Sequence, residues 1–243
     1  MVFRLIAAFI ATVSLSAGAA TTTFTGSSGS LSASVSFEIL SGGQLRVILA
    51  NTSTSDVLVP TDVLTGLFFN MAGNPTLTRI SAISGGTTFL NGASVSPVGT
   101  VVGGEWAYEA SLAEYGANSG ISSSGLGLFG PPDLFPGSNL SGPTSPAGLQ
   151  YGLTSAGDNV ATGNAAVMGN ELTKNSVTIL LASLPTGFSL SSISNVTFQY
   201  GTALDEGHIT VGGGGIKTVP EPSTLLLSGL ALVSLSIVRR RRG

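Results

Sequence analysis

Between residues 31 and 39 the apolar Leu31, Ala33, Val35, Phe37 and Ile39 alternate without a break with Ser32, Ser34, Ser36 and Glu38. A period of two puts one set on a buried face and the other in water, the pattern of a half-buried strand. Ser41-Gly42-Gly43-Gln44 supplies turn chemistry, and Leu45, Val47 and Leu49 then resume the alternation around Arg46, which predicts a hairpin over 31–50. Further β-rich runs lie at Leu64 to Asn70, Leu77 to Ile83, Gly99 to Val102, Glu105 to Ala110, Ser176 to Leu184, Ile193 to Tyr200 and Ile209 to Val211. No segment between the chain's two ends carries a helical period. Many short strands divided by Gly, Pro and Asn predict one all-β domain over residues 20–211, an antiparallel β-sandwich or a jelly roll.

The rhythm breaks between about 115 and 163, where Gly125-Leu-Gly-Leu-Phe-Gly130, Pro131-Pro132 and Asp133-Leu-Phe-Pro136-Gly137 predict a long loop system. Its apolar Leu128, Phe129, Leu134 and Phe135 fit packing onto the strands, with a binding role as the alternative. Four glycines at 212–215 read as a flexible tether covering 212–219.

Both ends depart from the β pattern. At the start, Arg4 precedes an apolar stretch from Leu5 to Leu15 and then the small-x-small site Ala17-Gly18-Ala19, the composition of a signal peptide cut by signal peptidase after residue 19. At the other end, Pro220-Glu221-Pro222 is followed by an uncharged run from Thr224 to Val238 and by Arg239, Arg240, Arg241 and Arg242. As a helix that run would extend about 22 Å, shorter than the roughly 30 Å hydrocarbon core, so a short transmembrane helix there relies on arginine snorkelling and local thinning. The arginines stay cytoplasmic, which places the Pro-Glu-Pro segment and the domain on the far side. The two prolines hold the tripeptide extended, in a form that a processing enzyme can grip.

Charge and composition then remove several function classes. Residues 20–219 hold four basic side chains, Arg46, Arg79, Lys174 and Lys217, against eleven acidic ones, a net of −7. Such a surface repels phosphate backbones, so no nucleic-acid partner is expected. The chain has no cysteine, which excludes disulfides, thiolate catalysis and cysteine-ligated metals. Charged residues make up only 9% of the chain, so hydroxyl and amide groups must carry solubility.

Taken together, Pro220-Glu221-Pro222, the run from Thr224 to Val238 and Arg239 to Arg242 resemble the PEP-CTERM sorting signal of Gram-negative bacteria. The resemblance implies a membrane-inserted intermediate, cleavage near the tripeptide by exosortase, and transfer of the domain to the cell surface or an exopolysaccharide matrix. The domain itself resembles a group of exosortase-dependent surface proteins of unassigned activity, through Gly103-Gly104-Glu105-Trp106-Ala107-Tyr108, Gly125-Leu-Gly-Leu-Phe-Gly130, Asp133-Leu-Phe-Pro136-Gly137, Gly148-Leu-Gln-Tyr-Gly152 and Phe198-Gln-Tyr-Gly201. That second resemblance brings no catalytic residues with it.

The candidate chemistry of the domain is sparse. A Ser-His-Asp triad needs a histidine, and the single one, His208, sits beside Asp205 and Glu206 without any Gly-x-Ser-x-Gly elbow. Glycoside hydrolysis needs two convergent carboxylates. Glu105 and Glu109 would share a strand face, but four residues of strand separate them by about 13 Å. Asp133, Asp158 and Asp205 offer oxygen ligands for calcium, yet none lies in an Asp-x-Asp-x-Asp-Gly loop, and no metal or cofactor is expected. On the opposite face of that strand, Trp106 and Tyr108 are a candidate carbohydrate platform or, alternatively, a core plug. Two functions therefore stay open: a structural or exopolysaccharide-associated surface protein without enzymatic activity, and an exported hydrolase of matrix polysaccharide.

Overall fold

A computed structural model describes residues 21–211. The first sheet is built from β1 (Thr21–Ser28), β2 (Leu31–Leu40), β3 (Gln44–Asn51), β5 (Thr78–Ser84) and β12 (Ser176–Ala182), in the order β1-β2-β3-β12-β5. The second holds β4 (Leu64–Asn70), β6 (Thr88–Leu90), β7 (Ala93–Ser94), β8 (Ala107–Ala110), β9 (Ser119–Ser122), β10 (Leu153–Thr154), β11 (Leu172–Lys174), β13 (Ser194–Tyr200) and β14 (His208–Val211). Its path runs β14-β13-β4-β10-β11-β6-β7, with β9 also pairing β4 and β8 pairing β9. The described residues are thus mostly β, in two sheets.

The alternation of residues 31–50 forms the expected hairpin, with β2 and β3 in register from Ala33 opposite Asn51 to Leu40 opposite Gln44. Ala33, Val35, Phe37, Leu45, Val47 and Leu49 are all fully buried. β1 was not among the expected strands: of its eight residues only Thr22 and Phe24 are buried, too few to create a pattern. It is specified instead by its neighbour, pairing with β2 along its whole length across a two-residue turn in which Gly29 takes φ 59°.

The expected antiparallel arrangement holds except between β10 and β11, which run parallel. The expected strand at Gly99 to Val102 is reduced to a single bridge between Val101 and Ile83. A one-turn helix, α1 (Ala165–Met168), capped by the Asn164 side chain, follows the long loop system. Within that system the strands β9 and β10 were hidden because all their residues are buried, so neither alternates.

Both sheets contribute to one hydrophobic core: Phe24, Phe37 and Ile179 from the first, Leu67, Tyr108 and Phe198 from the second. A two-stranded ribbon links the sheets. β5 passes through Gly85-Gly86 into β6 while β11 passes through Asn175 into β12, and the strands stay bonded around the corner through Gly85 N–H to the Ser176 carbonyl at 2.7 Å and Lys174 N–H to the Thr87 carbonyl at 3.0 Å. Strands that change sheet need such a bend, and Asn175 provides it with φ 74°. The outer face of the second sheet is covered by the long loop system, where Phe129 packs with Phe68, Ala107 and Ala117. Phe135 reaches the main core, and Leu128 and Leu134 lie partly buried against the outer cluster.

Among the described residues no helix is long and apolar enough to cross a membrane. The expected signal helix, the glycine tether and the C-terminal transmembrane helix all lie outside the described residues.

Candidate functional site

Gly103 and Gly104 decide the local conformation around the tryptophan. With Glu105 they form a 3-10 turn rather than the start of a strand. A Cβ on either glycine would lie closer than 3.0 Å to backbone of Pro136 or of Ser138 and Asn139, so their bareness lets the 135–141 loop lie directly against the turn. The expected strand therefore begins only at Ala107, and Glu105 does not share a strand face with Glu109. Trp106 and Tyr108 are both 0% exposed. A side chain with no surface cannot stack on a sugar ring, so the carbohydrate platform is corrected to a core plug. Tyr108 donates its hydroxyl to the Pro75 carbonyl at 3.3 Å, while Trp106 Nε1 is buried without a partner.

The same loop contact turns Glu105 inward. Its Oε1 accepts from the backbone N–H groups of Leu140 at 2.7 Å and Ser141 at 3.2 Å. Beside it stand Glu171 and Tyr151. Glu171 leads into β11 and accepts from Thr88 Oγ1 at 2.5 Å, and its backbone carbonyl receives Tyr151 N–H at 2.6 Å. Burial pushes the Glu105 carboxyl above the ordinary value of 4.5 against the pull of those two N–H donors, and the Glu171 charge pushes it the same way. Burial also raises the Tyr151 hydroxyl, with Glu171 and Glu105 adding to the shift. The sequence reading gave Glu171 no part and met Tyr151 only inside the Gly148-to-Gly152 segment, because they are 66 and 46 residues from Glu105 along the chain.

The raised Glu105 carboxyl has a measurable consequence. A carboxyl whose folded pKa exceeds its unfolded one binds protons more tightly when folded, so its ionisation lowers stability as pH rises through that window. Glu105→Gln keeps an oxygen acceptor for Leu140 and Ser141 and removes the charge. In chelating buffer the variant is expected to melt above the parent at pH 7, with the gap closing as pH falls toward 4.5. A gap that does not depend on pH would contradict this.

A second acidic pair lies nearer the surface. Arg79 donates from Nε to the Tyr108 carbonyl at 2.9 Å and pairs through an Nη atom with Asp133 Oδ1 at 3.2 Å. Burial and the neighbouring Asp133 carboxylate raise Glu109, which Arg79 partly offsets. Asp133 is further occupied by the Gly130 N–H at 2.9 Å.

The remaining expected candidates do not converge. His208 is exposed, with its ring 4.7 Å from that of Tyr115 and its Nδ1 3.4 Å from the Glu206 carbonyl oxygen, so it forms no triad. Asp158 accepts from Val57 N–H at 2.8 Å, away from Asp133 in its Arg79 pair. Among the described residues no three His, Cys, Asp or Glu side chains gather as a metal site. Pro220, Glu221, Pro222 and Arg239 to Arg242 lie outside the described residues.

No curated protein and no solved structure matches the chain. The family match is confined to the end of the chain, about a tenth of its length, and leaves the β domain unassigned. Residues 218–242 match the family described as the PEP-CTERM protein-sorting motif, and that motif marks this chain as an exported protein processed by exosortase and sorted to the cell surface.

Proposed function

We propose that the chain is a non-catalytic surface or matrix protein whose β domain is released by exosortase and associates with exopolysaccharide. The observation that carries the reading is the C-terminal motif at 218–242, in which the tripeptide, the apolar run and the arginines stand in the order a cut-and-release mechanism requires. The apolar run and arginines halt translocation, and Pro220-Glu221-Pro222, whose prolines disfavour helix, presents the cut site outside the membrane.

The outer face of β1 and β2 supports the matrix half of the proposal. Thr23 pairs with Ser36, Thr25 with Ser34 and Ser27 with Ser32, so neutral hydroxyls stand in two parallel rows. Along each strand they repeat at about 6.7 Å. Thr23 and Ser36 share a 2.9 Å hydrogen bond, and the charges at the end of the array cancel in the Glu38–Arg46 pair. An uncharged hydroxyl face suits a polyhydroxylated polymer, whose groups exchange hydrogen bonds with it at little electrostatic cost. The hydrolase reading has weaker support. Glu105 and Glu171 are buried away from any substrate, and Asp133 of the outer pair is held by Arg79.

Fractionation of intact cells with mass spectrometry of the mature C-terminus tests the sorting. With exosortase present, the surface form is expected to end near Pro220 and to lack Arg239 to Arg242. Without exosortase the full tail is expected to stay with the inner membrane. A surface form that still carries the four arginines would overturn the proposal.

A further inference from the structure

Beneath the 135–141 loop lies an arrangement that packing alone does not explain. Glu105 is 2% exposed and Glu171 9% exposed. Removing carboxylates from water is costly unless a counter-charge or a dense set of donors compensates. The described residues contain three basic side chains, all engaged elsewhere: Arg46 with Glu38, Arg79 with Asp133, and Lys174, whose charge acts on Asp158. Strand alternation also places Lys174 on the face of β11 opposite Thr173 and the preceding Glu171. The two acids therefore have no cationic partner.

The hydroxyls around them are unpartnered as well. Tyr151 is 0% exposed, and its hydroxyl faces the Glu171 and Ser141 side chains without closing a well-formed hydrogen bond to either. Thr173, 0% exposed and on the same strand face as Glu171, has a free Oγ1, and so does Ser141 through its buried Oγ. Buried polar atoms are rarely left without a partner, and several in one place call for an ion or ordered water between them. Every donor in the group is a hard oxygen: two carboxylates and three hydroxyls, with neither nitrogen nor sulfur. That chemistry suits calcium, which accepts six to eight oxygens in irregular geometry. Magnesium demands a near-ideal octahedron and keeps its waters.

We propose that Glu105 and Glu171, with the hydroxyls of Tyr151, Ser141 and Thr173, form a buried calcium site that ties the 135–141 loop to β11. The ion supplies the missing counter-charge and completes the orphaned hydroxyls in one step. It fastens the loop that the Gly103-Gly104 turn draws in to a strand from a distant part of the chain.

The test uses the full-length chain in detergent, stripped with EDTA and then titrated with calcium, magnesium or terbium. Calcium at about a hundred times its dissociation constant is expected to raise the melting temperature by roughly 5–10 °C, with magnesium giving much less. Terbium luminescence excited through Trp106, the only tryptophan and the neighbour of Glu105, is expected to rise on binding and to fall as calcium displaces the lanthanide. The Glu105→Gln/Glu171→Gln double variant is expected to lose both responses. Glu105→Gln alone is expected to reverse its rank against the parent, melting higher in EDTA and lower in calcium. Tyr151→Phe keeps both charges and is expected to weaken calcium binding without abolishing it. No melting shift and no sensitised terbium signal up to about 10 mM metal, well past the weakest extracellular sites, would overturn the proposal. A calcium shift that survives the double substitution would overturn it equally, because the ion would then be bound elsewhere.

Discussion

Trp106→Ala is expected to lower the stability of the domain by about 3–5 kcal/mol, the range for emptying a large aromatic from a tight core. For a domain of this size that corresponds to a fall in melting temperature of about 10 °C. The indole lies fully buried in the cluster shared by both sheets, beside the turn that the 135–141 loop covers. Its replacement by alanine leaves a void that the neighbouring strands cannot close without breaking their ladders. Trp106→Phe is expected to cost much less. The indole N–H makes no hydrogen bond, so phenylalanine forfeits volume alone. Thermal or urea unfolding of the three proteins checks this. The comparison also separates packing from recognition: any loss of exopolysaccharide binding in Trp106→Ala should return in Trp106→Phe when both are assayed well below their melting points. Equal stability of the alanine variant and the parent would show that the indole is not the core plug described above.

Gly86→Ala is expected to be about as damaging, at roughly 3 kcal/mol or more, for a different reason. Gly86 lies at the corner where the β5–β6 and β11–β12 ribbon passes from one sheet to the other. An added Cβ would sit closer than 3.0 Å to the backbone carbonyl of Lys174. A flexible side chain could turn aside, but a carbonyl within a paired strand moves only by shifting the strand, and overpacking of this kind strains backbone and core together. Gly157→Ala is the control, since nothing lies within 4 Å of a Cβ there, and it is expected to stay within about 0.5 kcal/mol of the parent. Chemical unfolding reads the difference directly. A Gly86→Ala protein as stable as the Gly157→Ala protein would mean that the corner yields more easily than the paired ribbon implies.

The calcium proposal and the two substitutions bear on the same part of the molecule. Glu105 and Trp106 are adjacent, so Trp106→Ala is expected to disturb the metal response as well as the core, whereas Gly157→Ala should leave it intact. The double-glutamine variant is therefore the cleaner probe of the site, because it alters charge while keeping side-chain size.

How far the sequence could be read varied with the physics of each feature. Strict alternation over 31–39 survived intact into β2 because that strand is wet on one face, so burial alone sets which residues point inward. The address at the C-terminus was equally legible: the Pro-Glu-Pro tripeptide, an apolar run and a basic end form a motif of local composition that can be read without any fold. β1 was invisible, since its neighbour and not its own residues specifies it, and β9 was invisible because it is buried on both faces. Trp106 and Tyr108 were found, but their environment could not be: period two says that they share a side, and only the opposing sheet decides whether that side is surface or core. Glu105 was placed on a strand until two glycines proved to be the floor on which another loop rests. Its meeting with Glu171 and Tyr151 depends on contacts across 46 to 66 residues of chain, and no local pattern encodes contacts at that range. The sequence by itself thus determined the β class and the destination of this protein, both written in short-range periodicity and composition. The tertiary structure alone decided which polar groups are buried together, because burial at long range is a property of packing.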